Sequence, residues 1–157
     1  MPSPRDYNRW LAGVCGAGVL IAGSLLGVAP AAAETITLHG MCISVVIAGK
    51  PARRTCDGKL AILRDNRDRS AFMFTFMDGT FLAFEGALSK AVQVNGGLNQ
   101  PILDVVNLNL GSPPVKTSIS GSCGFGGGRV VQVTCASAAG DFKVVFVSDG
   151  LPLEIVK

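Results

Sequence analysis

The stretch Phe72-Met73-Phe74-Thr75-Phe76-Met77-Asp78-Gly79-Thr80-Phe81-Leu82-Ala83-Phe84 decides the fold. Two β-favouring runs flank Asp-Gly, a pair that supplies both φ > 0 residues of a type I′ turn, so the segment reads as a tight β-hairpin. A two-residue turn sets Phe76 opposite Phe81 and Met73 opposite Phe84. Phe72, Phe74, Phe76 and Phe81 then line one face, with Met73, Met77, Leu82 and Phe84 on the other. Both faces are apolar, which predicts a hairpin covered on both sides.

Outward from this hairpin, runs of Val, Ile, Phe and Thr recur about every ten residues between clusters of Gly, Asp, Asn and Pro. No window carries a sustained helical stripe. Strands are expected near 35–38, 42–48, 54–63, 71–77, 80–86, 90–94, 102–109, 116–122, 129–135, 141–148 and 151–156, some of which should merge or vanish. Asn95-Gly96-Gly97 and Asp149-Gly150 repeat the turn chemistry, the second reading as a hairpin between 142–148 and 151–156. The fold class predicted is all-β: one antiparallel sandwich or partly closed barrel of about eight to ten short strands. Pro101 lacks an N–H and belongs at a strand start or on an edge. Asp104, Asn107 and Asn109 mark a half-exposed strand, and the segment after Pro113-Pro114 is too short to form a second domain.

The amino terminus is of another kind. Arg5 and Arg9 precede an uncharged stretch from Trp10 to Ala29, which ends in Pro30-Ala31-Ala32-Ala33-Glu34. A positive start, an apolar middle and small residues at −3 and −1 form a secretory signal peptide, with cleavage expected after Ala33. A retained anchor is the alternative, since the run is nearly long enough to span a bilayer, but five glycines between Gly13 and Gly27 weaken it as a helix. Cys15 lies at the beginning of the apolar run, the wrong place for a lipid-modified cysteine. The reading is therefore a signal peptide over 1–33 and one β-domain over 34–157, exported to the periplasm or beyond. Of the 157 residues, 48% are hydrophobic and 16% charged, which excludes intrinsic disorder, although the signal peptide holds much of the apolar excess.

The exported part keeps Cys42, Cys56, Cys123 and Cys135. An even count in an oxidising compartment reads as two disulfides, and the spacings lack the close C-x₂-C pairs of zinc sites. Three connectivities are open. Cys42 and Cys56 flank the turn-like Gly49-Lys50-Pro51-Ala52, which suits a local bridge. A hairpin turning at Gly126–Gly128 would instead set Cys123 opposite Val131.

Little in the sequence points to catalysis. One histidine, His39, follows the signal peptide, no G-x-S-x-G elbow occurs, and the aspartates sit in turns or among arginines. A hydrolase would need His39 beside a serine such as Ser118 or Ser120 and a carboxylate. The glycine-rich stretch Gly121–Arg129 matches no phosphate-binding pattern and reads as a hairpin tip, with Phe125 as a contact residue at most. No cofactor or metal is called for.

Charge is more informative. Residues 50–69 hold seven basic side chains, among them Lys50, Arg53, Arg54, Arg64, Arg67 and Arg69, against three aspartates, whereas the rest of the exported part is slightly acidic. If the loops at the two ends of this segment share one side, they form a patch for an anionic envelope component or an acidic protein surface. Nucleic acid is excluded by export and by the lack of interleaved aromatics. Tyr7 and Trp10, the only Tyr and Trp, lie in the signal peptide, which argues against a lectin and against a transmembrane barrel with aromatic girdles. The expected function is a non-enzymatic exported binding or envelope-interaction protein that uses segment 50–69. The alternative is a barrel carrying a small apolar ligand against the Phe/Met hairpin 72–84.

Overall fold

A computed structural model describes residues 33–65, 67–109, 111–126 and 128–157, so the signal peptide read at 1–33 lies outside the described residues except for Ala33. Within them the chain forms β1 (Glu34–Ile47), β2 (Lys50–Pro51), β3 (Cys56–Arg64), β4 (Arg69–Phe76), β5 (Phe81–Ala87), a 3-10 turn (Leu88–Lys90), β6 (Val92–Val94), β7 (Gly97–Leu108), β8 (Val115–Phe125), β9 (Gln132–Ser137), β10 (Phe142–Ser148) and β11 (Glu154–Val156). The runs expected at 35–38 and 42–48 are one strand, β1. Strands β1, β3, β4, β5, β7, β8, β9 and β10 pair antiparallel in chain order, and β10 returns to β1. The result is a closed eight-stranded up-and-down barrel. The remaining three strands are additions: β2 and β11 pair with β1, and β6 pairs with β7.

The Phe-rich hairpin does supply the centre of this barrel, but in a different register. Thr75 pairs with Phe81 and Phe72 with Phe84. Phe76 N donates to the Thr80 carbonyl and Gly79 N to the Phe76 carbonyl, both at 2.9 Å, which encloses a three-residue loop, Met77-Asp78-Gly79. In that loop only Gly79 has positive φ, at 79°. The Asp78 carboxylate explains the choice, because it accepts from Thr80 N at 2.9 Å and from Thr80 Oγ1 at 2.5 Å, an Asx turn that competes with type I′ geometry. One added loop residue exchanges faces on the second strand. Leu82 and Phe84 therefore join Phe72, Phe74 and Phe76 inside, Phe81 and Met73 lie half-buried, and Met77 is exposed. The hairpin is fully covered on one side only, contrary to the expectation from its composition.

The interior is filled with side chains. Phe72, Phe74, Phe84, Phe146, Leu60, Leu82, Ile102, Val105, Val133 and Val144 are all at most 1% exposed. Phe74 meets Phe84 edge-on at 6.0 Å and Phe146 at a tilt at 6.4 Å. Such geometry is favoured by aromatic quadrupoles. Both local disulfides form: Cys42–Cys56 ties β1 to the start of β3, and Cys123–Cys135 joins directly opposed residues of β8 and β9, with Cα atoms 5.5 and 4.0 Å apart. The Val131 register fails because Phe125–Val133 is the last pair of that hairpin, so its loop is wider than a turn at 126–128 allows.

Two further expectations change. Asp149-Gly150 does not reverse the chain, since β10 and β11 run the same way along β1 as one interrupted strand. Asp149 N continues the ladder to the His39 carbonyl at 2.9 Å, and the Asp149 carboxylate accepts from Leu151 N at 3.0 Å, so the segment is a kink. Pro101 lies within β7, opposite Ser122. On the other edge β6 pairs with 97–99 and β5 with 104–108, and Pro101 falls in the gap where no ladder bond is required of its nitrogen. By contrast, Asn95 and Gly96 do both adopt positive φ, as a type I′ turn requires.

Candidate functional site

The outer face of the barrel carries a row of cross-strand neighbours running Thr35–Leu63–Ala71–Glu85–Asp104 over β1, β3, β4, β5 and β7. Ala71 and Ala87 are too small to fill the surface between the larger groups around them. The space they leave is an open groove of about 400 Å³, bounded by Leu63, Arg64, Arg69, Leu103, Glu85 and Lys116. Leu63 and Leu103 offer exposed apolar surface, and the rim is ionic.

One wall is the turn from β3 to β4. The Asp65 carboxylate accepts from Arg67 N at 2.8 Å, from Arg69 N at 2.9 Å and from Arg69 Nε at 2.8 Å. The Arg69 bonds, backbone first, hold the Asp65 carboxyl below the ordinary carboxylate range and raise the Arg69 guanidinium. Beside it Arg64 Nη1 donates to Glu34 Oε2 at 3.3 Å, while the buried Arg64 Nε has no hydrogen-bond acceptor among the described residues. The opposite wall is a network. Lys116 Nζ lies 2.7 Å from Glu85 Oε2 and 3.1 Å from Asp104 Oδ2, and Ser118 Oγ donates to Asp104 Oδ1 at 2.9 Å. Burial alone would push the Asp104 carboxyl up, but the bonds from Ser118 and Lys116 outweigh it and hold the group low. Glu85 and Asp104 in turn raise the Lys116 ammonium.

The basic residues singled out from the sequence separate into two groups. Lys50, Arg53 and Arg54 precede β3, whereas Arg64 ends it and Arg67 and Arg69 follow, so its nine residues set the two groups roughly 30 Å apart at strand geometry. Of the six, Arg64 and Arg69 line the groove, and Arg67 is an exposed residue of the adjoining β3–β4 turn. Arg54 is engaged within the barrel end: its guanidinium donates to Thr80 Oγ1 at 2.9 Å and Asn109 Oδ1 at 3.2 Å, and it lies 5.6 Å from the centre of the Phe76 ring. Lys50 and Arg53 are exposed.

His39 lies on β1, where Nε2 is 3.1 Å from Glu154 Oε1 of β11. Among the described residues its side-chain hydrogen bond is to this carboxylate and to no serine. Phe125, read as a loop-tip contact, ends β8 and packs at a tilt against Phe72, ring centres 6.0 Å apart, partly buried against the core. Among the described residues no three His, Cys, Asp or Glu side chains converge as metal ligands would.

Sequence reasoning missed Glu34, Glu85, Leu103 and Lys116. Asp104 was marked as a polar interruption, yet its neighbours come from strands whose pairing follows only from the closed topology. The chain matches no known protein family, no curated protein and no solved structure.

Proposed function

We propose that the chain is an exported, non-enzymatic binding protein that meets its partner on the outside of the barrel, at the groove lined by Arg64 and Arg69 beside the turn that carries Arg67. The observation that carries this reading is the contrast between a filled interior and an open outer groove. A carrier of an apolar ligand needs an enclosed void, and the positions where the hairpin 72–84 would line it are occupied by packed phenylalanines. Export is supported by the two disulfides, which persist in oxidising compartments. No helix among the described residues is long and apolar enough to cross a membrane. The outer ion pairs, Lys116 with Glu85 and Asp104 and Arg69 with Asp65, speak against a lipid-facing surface, which would be an apolar band.

The partner is an anionic component of the cell envelope, met by the exposed Arg69 at the groove and the exposed Arg67 on the adjoining turn, with Leu63 and Leu103 offering apolar contact. The test is cosedimentation of the purified protein with anionic vesicles and with envelope extract at low and high salt. Arg67→Glu with Arg69→Glu is expected to abolish salt-sensitive binding, while Lys50→Glu with Arg53→Glu leaves it intact. Binding unchanged by the first pair would overturn the reading.

A further inference from the structure

The barrel strands differ in length, and the long ones outrun their neighbours. The overhang of β1 is covered by β11 and that of β7 by β6, but β9 pairs only with Gly121–Phe125 of β8. Val115–Ser118 of β8 therefore pair with β7 on one edge, Ile119 follows at the irregularity before Gly121, and among the described residues no strand lies on the other edge of Val115–Ile119. Pro113-Pro114 closes this open edge at one end. At the other, Ala138 N donates to the Ser120 carbonyl at 2.6 Å. What remains is a five-residue ladder template whose outward backbone donors and acceptors have no strand partner among the described residues.

A lysine on such an edge ordinarily repels a second strand. Here Lys116 does not serve that purpose, because Glu85 and Asp104 hold its ammonium on the outer face of its own barrel. The edge also complements itself. In an antiparallel pairing of two copies about Thr117, Val115 opposes Ile119, Lys116 opposes Ser118, and Thr117 opposes Thr117 of the second copy. Apolar meets apolar, no like charges are set opposite each other, and the contact has the two-fold symmetry of an isologous dimer. We propose that Val115–Ile119 is a dimerisation edge through which a second copy of this chain extends the sheet. A contact this small makes a weak, concentration-dependent dimer.

The two-fold axis at Thr117, an exposed residue, supplies the test. The full chain is expressed and purified, and its mass is followed by sedimentation velocity over a wide concentration range. The wild type is expected to shift from monomer to dimer as concentration rises. Thr117→Lys and Thr117→Glu each place like charges face to face and are expected to weaken self-association on the order of tenfold. An equimolar mixture of the two variants is expected to recover a heterodimer at least as stable as the wild-type dimer, an outcome that unfolding cannot mimic. A wild type monomeric up to about 1 mM, where a contact with a dissociation constant worth roughly 4 kcal/mol would show, overturns the proposal. So does self-association that both charged variants retain.

Discussion

Phe74→Ala tests the central structural premise of the proposed function, that the barrel is filled with side chains. Phe74 is fully buried and lies edge-on to Phe84, with Phe146 beyond, so truncation removes a whole ring from a site walled by two other rings. Large-to-small changes of this kind cost about 3–5 kcal/mol where the surroundings cannot collapse. Barrel walls held by ladder bonds on both sides, with two disulfides nearby, collapse little. Unfolding entropy of about 2.1 cal/mol/K per residue over the roughly 124 residues from Glu34 onward makes the expected fall in Tm about 12 to 19 °C. Calorimetry under non-reducing conditions reads it directly. Phe81→Ala, on the half-buried outer side of the same hairpin, serves as the comparison and is expected to cost less than half as much. The variant should also gain saturable uptake of a small apolar probe that the wild type lacks, because the new cavity is dry and apolar. A fall under about 3 °C would refute the reasoning. It would mean that the space around Phe74 yields or already holds solvent, and an internal carrier would then be the better reading.

Two further outcomes follow from the same structure. A Cβ at Gly86 would fall onto the Pro101 carbonyl oxygen, a backbone atom that cannot rotate away, so Gly86→Ala is expected to cost about 1–3 kcal/mol, seen as a lower urea midpoint with unchanged slope. A midpoint equal to wild type would mean that β5 and β7 are not in close contact there. The carboxyls of Asp65, Asp78 and Asp104 all sit below their ordinary value, through bonds from Arg69, from Thr80 and, against burial, from Ser118 and Lys116. Groups lowered on folding stabilise above the unfolded value of about 3.9 and lose that contribution as pH falls through it and then through the folded values. Urea midpoints are therefore expected to hold at neutral pH and to decline below about pH 4. The raised Lys116 acts oppositely, its contribution being complete below about pH 10.4 and lost above it. Acid loss that begins above about pH 6 would show that other groups govern stability.

The fold class was legible because composition and turn residues act locally. Apolar runs separated by Gly, Asn and Asp at regular spacing allow little but short antiparallel strands, and Asn95-Gly96 behaves as its chemistry requires. What failed is register. Asp-Gly at 78–79 satisfies the rule for type I′, but the Asp78 side chain also bonds Thr80, and that one competing interaction lengthens the loop by a residue. The consequence is large because side chains alternate with period two: a single residue moves Phe84 into the core and Phe81 out of it. The Cys123–Cys135 pairing was obscured in the same way, by a loop wider than its glycines imply. Asp149-Gly150 failed differently, since the turn dipeptide does not specify whether the following segment folds back on its own strand or goes on along β1.

The site was less legible for a reason that follows from barrel closure. A charge run in sequence becomes a surface patch only if its residues project from one place, and a strand separates the ends of the basic segment by its own length. Lys50–Arg54 and Arg64–Arg69 are therefore the two poles of β3, and the neighbours of the second pole come from elsewhere. Glu34 arrives from β1, Glu85 from β5 and Lys116 from β8 because adjacent antiparallel strands set their residues side by side. Each of these looks like a solitary surface charge in the sequence. Their convergence depends on the summed register of five strand pairings, each open to a shift of one residue, so no local rule could have located the groove. Small outward residues are the one local trace: Ala71 and Ala87 stand at positions where an exposed strand would ordinarily carry larger groups, and the groove lies over them.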